Sequence, residues 1–92
     1  MISFEWDAGK AKANLAKHGV SFDEAKLAFR DPFGLEFVDD RFDYGKERFI
    51  LIAMVRSRCL TVVYAAHDDV CRLISARAST KIEQDAYFKA QD

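Results

Sequence analysis

The first part of the chain combines basic side chains and a histidine in a pattern that could bind a phosphate. The segment from Ala8 to His18 contains three lysines and no acidic residue. On a helix, Lys10, Asn14 and Lys17 fall within about 60° of one another. His18 follows at the edge of this basic face, where an imidazole can transfer protons beside a bound phosphate. The alternative is an ordinary solvated helix whose His18 interacts favourably with the helix dipole.

A second basic region lies between residues 48 and 81. Its only acidic residues are Asp68 and Asp69, and its basic residues are Arg48, Arg56, Arg58, Arg72, Arg77 and Lys81. The whole chain has 14 basic and 15 acidic residues and a net charge of −1. A nearly neutral chain argues against general polyelectrolyte binding and favours local cationic patches.

Other chemistries find little support in the residue pattern. The histidines and cysteines, His18, His67, Cys59 and Cys71, show no spacing typical of a metal site. With four glycines, the chain has no phosphate-cradling glycine loop and no nucleophile elbow. We therefore expect no metal and no cofactor, and we interpret both cysteines as buried, unpaired residues of a reduced compartment.

Capping residues predict two helices near the start. Asp7 as N-cap and Gly19 as a C-terminal stop predict a helix over residues 8–18. The pair Ser21 and Glu24 predicts a capping box, which opens a second helix. Apolar residues then recur at helical spacing until Asp31-Pro32, where proline cannot continue the helix.

The rest of the chain predicts strands followed by one helix. Runs of strand-forming residues predict strands at 2–6, 34–38, 49–55, 60–66 and 70–75. Short breaks predict that the last three form an antiparallel meander. If the final hairpin turns at Asp68-Asp69, Cys71 faces Ala66 and cannot form a disulfide with Cys59. A second capping box, formed by Thr80 and Glu83, opens a final helix.

The length and the order of these elements indicate a fold class. Ninety-two residues, half of them apolar, are enough for one domain, which we expect to span 1–92. Separate blocks of helices and strands predict an α+β fold with helices packed on one face of an antiparallel sheet. The start of the chain has no secretory signal pattern, and its longest apolar run is too short to cross a bilayer, so we expect a cytoplasmic protein.

Three segments resemble, in order and spacing, the BrnT-type toxins of bacterial type II toxin–antitoxin modules. They are FEWDAGKAKANLAKHGVSFDEA, KERFILIA and RLISARAS. The resemblance implies a RelE-like α+β fold, with N-terminal helices and a C-terminal helix on a curved antiparallel sheet of three to five strands. It implies a ribonuclease that inhibits translation. It also implies a ribbon-helix-helix, BrnA-like antitoxin through which the complex reaches operator DNA, in an assembly such as a dimer of heterodimers.

The resemblance also assigns residues to a site for metal-independent RNA cleavage. The residues matching the family pattern are Lys10, Asn14, Lys17, His18, Glu47, Arg48, Arg77 and Tyr87. We expect Arg48 and Arg77 to hold the phosphate, because a guanidinium can bond two of its oxygens. We expect Glu47 and His18, or His67 as a substitute, to transfer protons.

Further side chains are expected to contact RNA outside the reacting phosphate. Lys10, Lys12, Asn14, Lys17, Arg72 and Tyr87 are the predicted RNA-binding residues, and Tyr64, Phe42 or Tyr44 could stack on bases if exposed. The competing hypothesis is a toxin-like domain without catalysis, which binds an antitoxin and acts as a corepressor in a DNA-bound complex. The near-neutral charge and the alanines at positions such as Ala66 and Ala78 favour it.

Overall fold

Five strands form one open sheet in the computed structural model, which describes residues 2–40 and 47–91. The strands are β1 (Ser3–Glu5), β2 (Leu35–Asp39), β3 (Arg48–Val55), β4 (Arg58–His67) and β5 (Val70–Ala78). Their order across the sheet is β1-β5-β4-β3-β2. The helices are α1 (Ala8–His18), α2 (Phe22–Ala25), a 3₁₀ helix (Lys26–Arg30) and α3 (Lys81–Lys89). The α+β prediction is confirmed.

Helix α1 begins and ends where its caps predict. The Asp7 carboxylate accepts from the backbone N–H of Lys10 at 2.9 Å. Gly19 has a φ of 69°, the left-handed conformation that glycine adopts without steric cost. Lys17 and His18 lie in the last turn, where positive charge interacts favourably with the helix dipole.

The second helix is shorter than the sequence predicts. Ser21 caps it by accepting from the N–H of Glu24 at 3.0 Å, but α2 gives way to the 3₁₀ helix after Ala25. The Glu24 carboxylate accepts from Arg58 at 2.8 Å, which ties α2 to β4. The prediction of an α-helix up to Asp31-Pro32 is therefore wrong after Ala25, where the helix is of the 3₁₀ type.

Strands β3, β4 and β5 form the predicted meander. Arg56 and Asp68 have φ values of 58° and 54° in the two tight turns. Ala66 pairs with Cys71 as predicted, and both cysteines are buried and unpaired. The pairing shifts by one residue between Val63 and Tyr64, so a bulge lies in this hairpin. β5 runs on to Ala78.

The two outer strands differ in direction. β2 is antiparallel to β3, with Leu35 opposite Ile52. β1 lies parallel to β5, with Ser3 opposite Val70, so the sheet is mixed and not purely antiparallel as expected. A parallel pair needs a crossover, which here is the whole length of chain between β1 and β5.

Helices cover both faces of the sheet, and this corrects the prediction that they share one face. On the α1 face, α1 and α2 pack on the main core with residues such as Val20, Leu60 and Leu73. On the opposite face, the α3 face, Tyr87 packs with Ile52 and Cys59 in a smaller core. None of the helices in the described residues has both the length and the hydrophobicity required of a bilayer-spanning helix.

Candidate active site

Two arginines lie on the α3 face at the end of the sheet that α3 leaves uncovered. Arg48 in β3 and Arg72 in β5 both pair with Ala65 in β4. Their neighbours Phe49 and Cys71 belong to the core on the α1 face, so alternation points both arginines to the α3 face. Strands lie about 4.8 Å apart, so the two Cα atoms are about 10 Å apart.

Two carboxylates complete this line across all five strands. Glu5 in β1 pairs with Arg72, and their charged groups are 3.6 Å apart. Asp39 in β2 is buried and pairs with Arg48. We call the residues Glu5, Arg72, Ala65, Arg48 and Asp39 the arginine row. The small side chain of Ala65 lies between the two arginines, so an anion placed over it could interact with both, while Glu5 contacts Arg72.

His67 and Glu47 lie close to the arginine row. His67 is two residues beyond Ala65 in β4 and therefore on the same face; its side chain is 93% exposed and contacts Asp68 at 3.4 Å. Glu47 is exposed and directly precedes Arg48. Two groups able to exchange protons thus lie at the same end of the sheet as the two arginines.

Arg77 lies on the same face but farther along the sheet. It pairs with Thr61, four residues from Ala65 on β4, which is about 13 Å along the strand. Its guanidinium donates to both oxygens of Glu83, at 2.7 and 2.9 Å. The structure therefore places Arg72, and not Arg77, across from Arg48.

Glu83 connects Arg77 to the start of α3. Its carboxylate also accepts from the N–H of Thr80 at 2.8 Å and from the hydroxyl of Thr61 at 3.0 Å. The hydrogen bonds from Arg77 lower the pKa of Glu83 from 4.5 to about 2, although burial opposes this shift. The predicted capping box of Thr80 and Glu83 is confirmed, and the same glutamate holds the arginine.

The basic residues of α1 lie on the other side of the sheet. Lys10, Lys12 and Lys17 are exposed, and His18 is half-buried. Because α1 packs on the α1 face, the sheet separates these side chains from the arginine row. The structure does not bring His18 together with Arg48 or Arg77.

Two of the residues predicted to contact RNA, Asn14 and Tyr87, are buried in the structure. Asn14 is 7% exposed, and its amide donates to the carbonyls of Val20 and Ala76 and accepts from the N–H of Ala76. Tyr87 is 3% exposed and donates to Asp31 at 2.5 Å. Both side chains use their polar atoms to connect distant parts of the chain, so neither can reach a ligand on the surface.

The aromatic residues considered for base stacking divide into two groups. Tyr64 is buried, stacks on Phe49 and donates to Glu36, so it does not present a free ring. Burial and Glu36 together raise the pKa of Tyr64 above its ordinary range. Phe42 and Tyr44 lie outside the described residues.

Sequence reasoning missed Asp31 and the second role of Glu83. The sequence pattern indicates Asp31 only as the end of a helix, but its carboxylate accepts from the hydroxyl of Tyr87, from the N–H of Met54 and from the N–H of Phe33. Met54 lies in β3 beyond the residues that pair with β2. The Asp31 carboxylate therefore bonds a backbone N–H on the part of the β3 edge that β2 does not reach. No local pattern shows these partners. Among residues 2–40 and 47–91, no three histidine, cysteine or carboxylate side chains form a possible metal site.

An open mixed sheet with helices on both faces, and with cationic side chains at the end that α3 leaves uncovered, suits a protein that binds nucleic acid. A family model described as the ribonuclease toxin, BrnT, of type II toxin–antitoxin systems matches residues 6–83. The chain therefore belongs to the BrnT family of ribonuclease toxins. A search of curated proteins found none that matches.

Proposed function

We propose that this protein is a metal-independent endoribonuclease that inhibits translation, and that RNA binds across the arginine row. The observation that carries the proposal is the placement of Arg48 and Arg72 on either side of Ala65, on a part of the α3 face that α3 leaves open. Cations in this position offset the negative charge that grows on the phosphate during cleavage. A guanidinium suits the task because it can bond two phosphate oxygens at once.

Proton transfer is assigned to His67 and Glu47. One of them removes the proton of the 2′-hydroxyl, whose oxygen then attacks phosphorus. The bond from phosphorus to the 5′-oxygen breaks, and the other group donates a proton to that leaving oxygen. The products are a 2′,3′-cyclic phosphate and a 5′-hydroxyl end. His67 takes the place first expected for His18, because only His67 lies on the face that carries the arginines.

The protein partner follows from the family. A toxin of a type II module acts with a protein antitoxin. We propose that this antitoxin is a ribbon-helix-helix protein that neutralises the toxin and binds operator DNA, within a hetero-oligomer such as a dimer of heterodimers. An acidic or amphipathic antitoxin helix lying over the arginine row would exclude RNA from it. We propose a cytoplasmic location for the complex, where RNA and operator DNA are found.

One observation favours the second candidate, a non-catalytic corepressor. Each arginine of the row faces a carboxylate, since Arg72 contacts Glu5 and Arg48 pairs with Asp39. A row that is already electrically balanced attracts RNA weakly. In that case the protein would bind its antitoxin and DNA complex without cutting RNA.

Cleavage of a short RNA by the purified protein separates the two candidates. The wild type is expected to cut in the presence of EDTA, and an RNA whose scissile 2′-hydroxyl is replaced by hydrogen should remain intact. Arg48→Ala, Arg72→Ala and His67→Ala should each lower the rate by at least about tenfold, since lost charge stabilisation or proton transfer costs that much or more. Arg56→Asn is the matched control, because Arg56 is exposed at the opposite end of β3.

Two results would decide against the ribonuclease proposal or its details. If the folded wild type leaves RNA intact and does not arrest growth when expressed, the corepressor is supported. If EDTA abolishes cleavage and Mg²⁺ restores it, the metal-independent mechanism is wrong. Circular dichroism and thermal unfolding of each variant show whether a lost activity reflects a lost fold.

A further inference from the structure

The outer edge of β2 is an open strand edge with an unusual surface. β2 is the last strand of the sheet, and within residues 2–40 and 47–91 no strand pairs with its outer side. Phe37 is 46% exposed and Val38 is 62% exposed, and they lie on opposite faces of the strand. An edge strand with adjacent exposed apolar side chains invites pairing with another chain.

The other edge of the sheet lacks these features. β1 is only three residues long, and its single charged residue, Glu5, contacts Arg72. Short strands of this kind protect a sheet edge from pairing. The contrast makes β2 the edge that offers both a backbone and apolar side chains to a partner.

Acidic residues flank the apolar pair and define what can bind. Glu36 precedes Phe37, and Asp39 and Asp40 follow Val38, whereas residues 31–40 contain no lysine or arginine. Glu36 accepts a hydrogen bond from Tyr64, and Asp39 pairs with Arg48 on the inner side of the strand. The order along β2 is therefore acidic, apolar, apolar, acidic.

A second copy of the chain does not fit this edge. Antiparallel pairing of two β2 strands about the apolar pair would set acidic residues opposite acidic residues at both ends. Like charges directly opposite one another destabilise a strand pair. The complementary strand instead has the order basic, apolar, apolar, basic.

We infer that the outer edge of β2 binds an extended segment of a partner protein with this basic, apolar, apolar, basic order. Backbone hydrogen bonds along the edge supply affinity, and the side-chain order supplies specificity, as in other cases of strand addition. The family provides a protein partner in its antitoxin, and we assign the segment to it. The inference goes beyond the proposed function, and it shares only Asp39 with the arginine row.

The test measures the binding of three blocked peptides to the protein in the absence of RNA. The first has a Lys-Val-Val-Lys core, the second replaces both lysines by glutamates, and the third has the composition of the first with lysine and valine strictly alternating. The first peptide should bind at least about tenfold more tightly than the other two, a difference of about 1.4 kcal/mol. Hydrogen exchange at the amides of Leu35–Asp39 should slow when it binds.

Two variants locate the contact. Val38→Lys places a positive charge on the edge and should weaken binding of the first peptide by at least about tenfold. Ile82→Lys is the matched control, because Ile82 is 81% exposed on α3. This variant should bind the first peptide with the affinity of the wild type.

Each contrary outcome overturns the inference. Equal binding of all three peptides would show nonspecific apolar binding, and equal binding of the first and third would show an effect of charge without side-chain order. Slowed exchange elsewhere would place the contact on another surface. No binding of the first peptide at about 1 mM would exclude even a weak site. A protein that is a dimer by light scattering, and that becomes monomeric in Val38→Lys, would show that a second copy occupies the edge. A failure of the RNA assay bears on none of these results.

Discussion

The side-chain amide of Asn14 bonds both backbone polar groups of Ala76. Nδ2 donates to the Ala76 carbonyl at 2.8 Å, and Oδ1 accepts from the Ala76 N–H at 3.1 Å. β1 pairs with β5 only over Val70–Arg72, so Ala76 lies where the neighbouring strand has ended. Asn14 thus takes the place of a strand partner at this point and also donates to Val20. Asn14 therefore has a structural role, in which it connects α1 to β5.

Removal of this amide should destabilise the fold strongly. Asn14→Ala leaves the buried N–H and carbonyl of Ala76 without partners, which should lower the free energy of unfolding by about 3 kcal/mol. Asn14→Asp should be at least as damaging, because a carboxylate cannot donate to the two carbonyls. Lys12→Ala, on the exposed side of the same helix, should change stability by less than about 0.5 kcal/mol. Urea unfolding followed by circular dichroism measures all three; similar stability of Asn14→Ala and Lys12→Ala would contradict the assigned role.

Helix α1 shows which features the sequence predicts and which it does not. Helix α1 was predicted because its caps, Asp7 and Gly19, are local signals. Asn14 was predicted to share the basic face of α1 with Lys10 and Lys17, but it is buried, whereas the neighbouring Leu15 is 51% exposed. The partner that buries Asn14 lies 62 residues away, and no local pattern indicates a contact across that distance.

The arrangement of the candidate site could likewise be predicted only in part. The pairing of Ala66 with Cys71 followed from a tight turn, and turn position fixes strand register. With that register, Arg72 lies on the same face as Arg48. The separation of His18 from the arginines could not be predicted, because it depends on which face of the sheet α1 covers.

Acid should weaken the attachment of α3. Arg77 lowers the pKa of Glu83 to about 2, so the ionised carboxylate stabilises the folded protein above pH 4.5. This stabilisation should be lost as the pH falls from about 4.5 to about 2. Glu83→Gln should remove stability on the order of 1–3 kcal/mol at neutral pH and flatten this part of the pH profile. Thermal unfolding across the acid range measures the difference, and parallel profiles for wild type and Glu83→Gln would show that another group is responsible.

Alkali should act on the opposite end of α3. Burial, and then the hydrogen bond to Asp31, raise the pKa of Tyr87 from 10.0 to about 12. The neutral phenol therefore stabilises the fold below pH 10, and this stabilisation should be lost as the pH rises through about 12. Tyr87→Phe should cost about 1–2 kcal/mol at neutral pH, because Asp31 loses a donor. Tyrosine absorbance and circular dichroism, recorded together from pH 9 upward, test the order of events: ionisation of Tyr87 well before any unfolding would contradict this assignment.

The turn between β3 and β4 should accept a stabilising change. Arg56 has a φ of 58°, a conformation that a long side chain adopts only at a steric cost. Asparagine adopts a positive φ at a lower cost than other non-glycine residues do. Arg56→Asn should raise the free energy of unfolding by about 0.5 kcal/mol, whereas Arg58→Asn should lower it, because Arg58 binds Glu24. A lower melting temperature for Arg56→Asn would show that the arginine makes a compensating contact.

The two cationic surfaces should contribute differently to RNA cleavage. A helix with its side chains is about 10 Å across, so Lys10, Lys12 and Lys17 on the outer side of α1 are separated from the arginine row by at least this thickness and by the sheet. The Debye length at physiological ionic strength is about 8 Å, which screens charges at that distance. Replacing all three lysines by alanine should therefore change the cleavage rate by less than about twofold at physiological salt, and by more at about 0.01 M, where the Debye length reaches about 30 Å. Arg48→Ala should reduce the rate at both salt concentrations, because it removes the charge that we propose contacts the reacting phosphate. An equal loss in the two variants at physiological salt would mean that RNA contacts both sides of the sheet.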